Sequence, residues 1–173
     1  EAGLIVAHKS DSQDICFVPD GDYAAFIQRT TGNPPEPGAF LDAEGNCIGT
    51  HRGLVHYTVG QRKGLGFAFP EPHYVCAKDA AHNTVTIGTK EALFSRRLTA
   101  EDCNWIAVEQ LTRPMRVQAK IRYGQEGQPA MLFPSETGRV IVEFDQPQRA
   151  ISPGQATVWY DGDVVIGGGT IAF

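Results

Sequence analysis

Cys16 is the side chain in this sequence best placed to do nucleophilic or redox chemistry. It stands in Lys9-Ser-Asp-Ser-Gln-Asp-Ile-Cys-Phe-Val-Pro19, a short apolar run between polar residues and a helix start. In an extended segment Ile15 and Phe17 alternate with Cys16 and Val18, so one face carries the thiol. Asp20 or Asp22 can cap the following helix, and a thiol just ahead of a helix N-terminus lies in a field that favours thiolate. On this local pattern alone the plainer reading is favoured: a small, buried, unreactive residue, as most free cysteines are.

Cations at strand spacing supply the second kind of chemistry. Met115-Arg-Val-Gln-Ala-Lys-Ile-Arg-Tyr123 alternates throughout. Met115, Val117, Ala119, Ile121 and Tyr123 are expected on one face, with Arg116, Gln118, Lys120 and Arg122 on the other. Side chains two apart on a strand stand roughly 7 Å apart, an interval comparable to that of RNA phosphates. An ordinary solvated face fits the pattern equally well. Gly60-Gln-Arg-Lys-Gly-Leu-Gly66 has the spacing of neither glycine-rich nucleotide fingerprint. It reads as a glycine-shaped turn, either presenting Gln61, Arg62 and Lys63 to a polyanion or simply solvated. Pro147-Gln-Arg-Ala-Ile-Ser-Pro-Gly-Gln155 is a proline-bracketed loop suited to a fixed shape, with Arg149 and Gln155 as its polar side chains of interest.

Other chemistries find little support. His51 and His56 lack an acidic companion at metal-site spacing, and Ser12 lacks a nucleophile elbow. Cys16, Cys47, Cys76 and Cys103 are spaced 31, 29 and 27 residues apart, which argues against a zinc knuckle. Nothing marks secretion, so reduced, cytoplasmic thiols are expected, with Cys76 in the core of a strand. No metal site is predicted.

The elements that must position these residues are mostly strands. The 173 residues, 42% hydrophobic and 20% charged, are those of a globular protein with a real core. No apolar run approaches the roughly 20 residues that span a bilayer, so no membrane partner is expected. A net charge of −5 argues against a general nucleic-acid coat but allows a local basic face. Tyr23, Phe26 and Ile27 predict one helix, closed by Gly32. Asn33-Pro-Pro-Glu-Pro-Gly38 predicts a rigid linker. Strands are expected at 39–41, 47–49, 55–59, 73–78 and 83–87. Beyond Thr99 they are expected at 115–123, 140–144, 156–160, 164–166 and 170–173, with a bend at the glycine run 167–169. Five or six short antiparallel strands there suggest a closed barrel, which leaves no sheet edge exposed. The expected fold is mostly β. Residues 1–33 carry the cysteine segment and helix, 34–98 a small central β domain, and 99–173 a six-stranded antiparallel barrel.

Four stretches together resemble the tRNA-specific 2-thiouridylases of the MnmA type. They are Asp11-Ser-Gln-Asp-Ile-Cys-Phe-Val-Pro-Asp-Gly-Asp-Tyr23, His56-Tyr-Thr-Val-Gly-Gln-Arg-Lys-Gly-Leu-Gly66, Lys120-Ile-Arg-Tyr123 and Ser152-Pro-Gly-Gln155. Their order and spacing cover nearly the whole chain. The resemblance implies an enzyme that sulfurates the wobble uridine of tRNA in an ATP-dependent reaction, with tRNA and a sulfur-relay donor protein as partners. It implies that Cys16 carries the sulfur as a persulfide, that ATP with Mg makes the uracil C2 oxygen a leaving group, and that a second cysteine, not in this chain, then forms a disulfide with Cys16. It also implies tRNA contacts at Arg122, Tyr123 and Gln155. Arg62 and Lys63 stay weaker RNA candidates on chemistry alone. The sequence departs from the family by omission: the S-G-G-x-D-S phosphate loop and the first cysteine of the ATP domain are absent. With an opening Glu1-Ala-Gly-Leu-Ile-Val-Ala that reads like mid-chain, this predicts a portion bound to no cofactor and inactive alone. The competing expectations are a stand-alone RNA-binding β module with an inert Cys16, and a protein-interaction β domain.

Overall fold

A computed structural model of the chain describes residues 18, 22–135 and 138–172. Cys16 lies outside the described residues, so its expected placement on an extended segment does as well. The helix α1 spans Tyr23–Thr31. Of its two candidate caps Asp22 acts, its Oδ1 accepting from the Ala25 N–H at 2.9 Å. Gly32, at φ 74°, ends the helix by donating its N–H to the Gln28 carbonyl at 2.9 Å.

A four-stranded sheet follows, built from β1 (Gly38–Leu41), β2 (Cys47–His51), β3 (Tyr74–Asp79) and β4 (Thr84–Gly88) in the order β2-β1-β4-β3. β1 and β4 are parallel and the other pairs antiparallel. Phe40, Tyr57, Leu65, Val75, Val85 and Ile87 form its core, with the Phe40 ring edge-on to Tyr57 at 5.1 Å and to Phe67 at 5.0 Å. His51 is buried in this core. Its Nδ1 accepts the Gly53 N–H at 3.0 Å, which leaves the proton on Nε2, 3.1 Å from the Asn83 carbonyl. This neutral imidazole joins the end of β2 to the turn before β4.

The strand expected at 55–59 does not form. Gly53, at φ 115°, turns the chain out of β2, and Leu54–His56 coil into a single 3-10 turn. A side chain at Gly53 would meet Pro35 at 2.5 Å, so the reversal needs glycine there for space as well as for φ. β3 is met instead by the next residues, where the Gly60 N–H donates to Val75 O at 2.8 Å and the Val75 N–H to Gln61 O at 2.9 Å.

The barrel consists of β5 (Phe94–Trp105), β6 (Met115–Lys120), β7 (Gln128–Pro134), β8 (Val140–Arg149), β9 (Ala156–Asp161) and β10 (Val164–Ile171). They close in the order β10-β5-β8-β7-β6-β9, every pair antiparallel. The mostly-β fold with one helix and a six-stranded barrel agrees with the sequence, although the strands are partly different ones. β7 carries no clean alternation and escaped the pattern. The two strands expected at 164–166 and 170–173 are one strand running through the glycine run. Those glycines are required by contact: a Cβ at Gly167 would lie 2.5 Å from Asn104 O, and one at Gly168 2.6 Å from Thr157 O. Trp159, Phe144, Leu132 and Val142 fill the interior.

Two other expectations are corrected. Cys76 is half-buried rather than core, because a bulge between Val75 and Ala77 takes it out of the alternation. Tyr123 does not share the inward face of Val117 and Ala119. β6 ends at Lys120, the chain turns, and the Tyr123 ring is fully exposed. Among the described residues no helix is long and apolar enough to cross a membrane.

Candidate nucleic-acid interface

A cleft of about 880 Å³ lies between the four-stranded sheet and the barrel. The sheet side contributes Leu54 and Val55 of the 3-10 turn, Tyr57, Thr58, Val59, Lys78 and Ala80. The barrel side contributes Arg122, Tyr123, Ser152, Pro153 and Gln155, and α1 closes one edge with Tyr23 and Ile27. The cleft therefore brings together the three residues Arg122, Tyr123 and Gln155, which lie up to 33 positions apart in sequence. Arg62 and Lys63 do not reach it. Arg62 borders a separate depression of about 300 Å³ with Leu65, Phe67, Glu71 and His73, and Lys63 is exposed on the glycine turn.

Several polar groups of the cleft are held in place by hydrogen bonds. Arg122 Nη2 donates to the Ala150 carbonyl at 2.9 Å, and that carbonyl also accepts from Ser152 Oγ at 3.1 Å. Ala150 itself has φ 53°, an αL conformation that a non-glycine residue adopts only when its surroundings impose it. Its N–H donates to Leu93 O at 2.7 Å, anchoring the loop to the turn that joins the two β units. The Gln155 backbone is clamped in turn, its N–H donating to Ser152 O at 3.2 Å and its carbonyl accepting from Ile171 at 2.8 Å. Lys78 Nζ donates to Tyr57 O at 2.9 Å, and burial pushes its ammonium below the usual lysine range.

Lys78 was not legible in the sequence. Simple alternation sets it opposite Val75, on the outer face of β3. The bulge at Cys76 re-phases the strand, so Lys78 pairs with the buried Val85 and shares the face of Val75. A lone lysine in the run Val75-Cys-Ala-Lys78 is the one signal that could have flagged it.

The expected cation stripe along β6 is partly cancelled. Arg116 Nη1 donates to Asp145 Oδ1 at 2.8 Å and Nη2 to Oδ2, a fork that reaches across β7 to β8. Lys120 lies 5.2 Å from the centre of the Tyr160 ring. Arg122 alone of the three turns into the cleft.

Among the described residues none lining the cleft is acidic, whereas the chain has 20 acidic and 15 basic residues. Its wall combines two cations with apolar and aromatic surface. That arrangement suits a polyanion carrying flat, unstacked rings.

The glycine turn at 60–66 is filled by its own side chain, since Gln61 Oε1 accepts the Thr58 N–H at 3.0 Å and Nε2 donates to Lys63 O at 2.9 Å. No helix follows it to receive phosphate. Among the described residues no three His, Cys, Asp or Glu side chains gather as metal ligands. Cys47, Cys76 and Cys103 are free thiols far from one another in sequence, and burial pushes the last two above the ordinary thiol range.

Comparison with known proteins identifies both β units. Residues 24–89 match the family model described as the tRNA methyl transferase PRC-barrel domain, and residues 95–171 the aminomethyltransferase beta-barrel domain. The chain is 54% identical over 171 residues to the tRNA-specific 2-thiouridylase MnmA of Acetivibrio thermocellus, covering 99% of this chain and 48% of that protein. It is 57% identical over 173 residues to the same-named protein of Heliobacterium modesticaldum, covering 99% of this chain and 45% of the relative. The Magnetococcus marinus protein of that name is 50% identical over 169 residues, with 98% and 47% covered. The chain spans about half the length of the curated relatives it matches. Two domain models in sequence order and relatives aligned along almost every residue place this chain in the tRNA-specific 2-thiouridylase (MnmA) family.

Proposed function

We propose that this chain is the tRNA-holding part of a tRNA-uridine 2-sulfurtransferase. Its cleft receives tRNA, and Cys16 carries the sulfur that passes to C2 of the wobble uridine. The observation that supports this best is the cleft itself. Arg122, Tyr123 and Gln155, singled out by motif, line one depression together with Lys78, and among the described residues no carboxylate lines it.

The chemistry follows from what each group can do. Lys78 and Arg122 stand on opposite walls, so a backbone phosphate between them would be neutralised from both sides. The exposed Tyr123 ring offers a stacking face to a base pulled out of its helix, and tRNA loops present such bases. Cys16 is six residues ahead of Asp22, so chain length alone keeps it within about 20 Å of the start of α1, whose Tyr23 lines the cleft. The sulfur step needs a thiolate-competent cysteine near the bound base. The outer persulfide sulfur forms the C2–S bond as the activated C2 oxygen leaves. A second cysteine thiolate, from outside this chain, then attacks Cys16 Sγ and breaks the S–S bond, leaving the sulfur on C2 and forming a disulfide that carries the two electrons. Activation of that oxygen has no counterpart among the described residues. The chain alone is therefore expected to bind tRNA without thiolating it, in the cytoplasm, with ATP and the sulfur-relay donor engaged by other parts of the enzyme.

Filter retention of labelled tRNA at low salt, with mass spectrometry of its nucleosides after incubation with ATP and a sulfur donor, tests this. Retention that weakens for Arg122→Gln and Tyr123→Ala, without 2-thiouridine, is expected. Absence of retention would sink the RNA reading, and appreciable 2-thiouridine would show that the chain is competent by itself.

A further inference from the structure

On the other side of Arg122 lies a second depression that the cleft does not include. It has a volume of about 630 Å³ and is walled by Phe94, Gln125, Gln128, Gln146, Gln148 and Arg149. Arg122 borders both, so the two spaces meet at one guanidinium.

Three features mark this groove as built for a ligand. Its charge is one-sided: Arg122 and Arg149 line it and, among the described residues, no carboxylate does, in a chain with an excess of five acidic residues. Its amides are organised. Gln148, only 6% exposed, donates Nε2 to Gln146 O at 2.9 Å and accepts from Gln125 Nε2 at 3.0 Å, which fixes the orientation of both amides. Its rim carries an aromatic ring in water: Phe94 opens β5 and is 41% exposed. Arg149 is steadied from the other β unit, with its guanidinium 5.9 Å from the Tyr74 ring centre. The next residue is Ala150, the αL position to which Arg122 is bonded.

We propose that this groove is a second RNA subsite, separate from the cleft, that takes one unstacked nucleotide. Arg149 meets its phosphate, Phe94 stacks on the base, and the side-chain amides of Gln128 and Gln146 face the base edge. Neutral amides and an aromatic face suit a nucleobase, whose edge mixes donors and acceptors. An acidic peptide would call for cations where these amides stand. With Arg122 shared, a strand leaving the cleft enters the groove past that one guanidinium. The inference rests on the RNA-binding reading of the cleft but concerns different residues.

Fluorescence anisotropy with labelled unmodified tRNA, as a function of salt, tests it in the 173-residue chain. Phe94→Leu is expected to raise Kd about tenfold with an unchanged salt slope, the loss of one stacking face. Arg149→Gln is expected to flatten the slope of log K against log salt by about one. Gln146→Glu puts a carboxylate at an exposed position whose backbone alone holds Gln148, and is expected to weaken binding several-fold at low salt. If one of the first two variants lowers the unfolding temperature, Gln146→Glu decides. Should Tyr123→Ala weaken binding while all three groove variants bind as the parent does, the groove is not an RNA site and the cleft reading stands. A parent chain that binds no tRNA removes both.

Discussion

Arg122 Nη2 donates to the carbonyl of Ala150 at 2.9 Å, and this bond joins the end of β6 to the loop that carries Gln155. Two segments that sequence alone leaves independent thereby become one wall of the cleft. The acceptor belongs to a residue held at φ 53°, so loop conformation and arginine position are set together. Arg122→Lys keeps the charge but loses the planar fork that can hold this carbonyl and still face a phosphate. Its tRNA affinity is expected to fall about five- to tenfold, with a salt slope near that of the parent. An affinity equal to the parent's would mean that charge alone matters at this position.

The thiols should separate by rate. Cys47 is exposed, whereas burial raises Cys76, and burial followed by the neighbouring Asp102 raises Cys103. Thiolate is the reacting species, so labelling by a disulfide reagent at pH 8 should be at least about tenfold slower at Cys76 and Cys103 than at Cys47. The proposal for Cys16 adds a phase faster than that of an ordinary thiol, lost in Cys16→Ser. A fast phase that survives this substitution would assign the reactivity elsewhere.

The glycine run should be intolerant of any side chain. Gly168→Ala places a methyl 2.6 Å from the Thr157 carbonyl, at the β9–β10 seam that completes the barrel. Backbone on the partner strand cannot give way cheaply, and a loss of about 1–3 kcal/mol is expected. Both tryptophans of the chain, Trp105 and Trp159, lie in the barrel with ring centres 5.1 Å apart, so urea unfolding followed by their fluorescence reads the effect directly. An unchanged midpoint would mean that the seam can open to admit the methyl.

Acid sensitivity should trace in part to Asp145. The side-chain hydrogen bond from Arg116 holds its carboxyl below the ordinary aspartate range. A carboxyl whose folded value is depressed binds its proton more readily when the chain unfolds. Its contribution is therefore present above the unfolded value of 3.8 and is lost as pH falls through the lower folded value. Asp145→Asn should lower stability slightly at pH 7, the pair being exposed, and approach the parent at pH 3, so the decline below about pH 4 is flattened by that same small amount. Denaturant midpoints at pH 3 and pH 7 would show it, and an acid slope equal to the parent's would remove Asp145 from the account.

Much of the fold was legible because local rules agree with the tertiary result. Asp22, the apolar spacing of Tyr23, Phe26 and Ile27, and Gly32 all specify one helix, and that helix forms. The alternation of Val117 and Ala119 specifies an inward face, and both are buried. The misses occur where the chain breaks its own period. Gly53 converts an apolar run into a 3-10 turn, and the end of β6 at Lys120 turns Tyr123 out into water. The bulge at Cys76 carries Lys78 to the inner side of its sheet.

The amino-acid sequence by itself determined the family, the mostly-β class and the identity of Arg122, Tyr123 and Gln155 as residues of interest, because motif and period are local properties. Only the tertiary structure decided that these three share a cleft with Lys78, that Arg116 is neutralised by Asp145, and that Phe94 faces a groove with Arg149. Those relationships depend on bulge phase, barrel closure and hydrogen bonds between distant segments, none of which a pattern along one strand encodes.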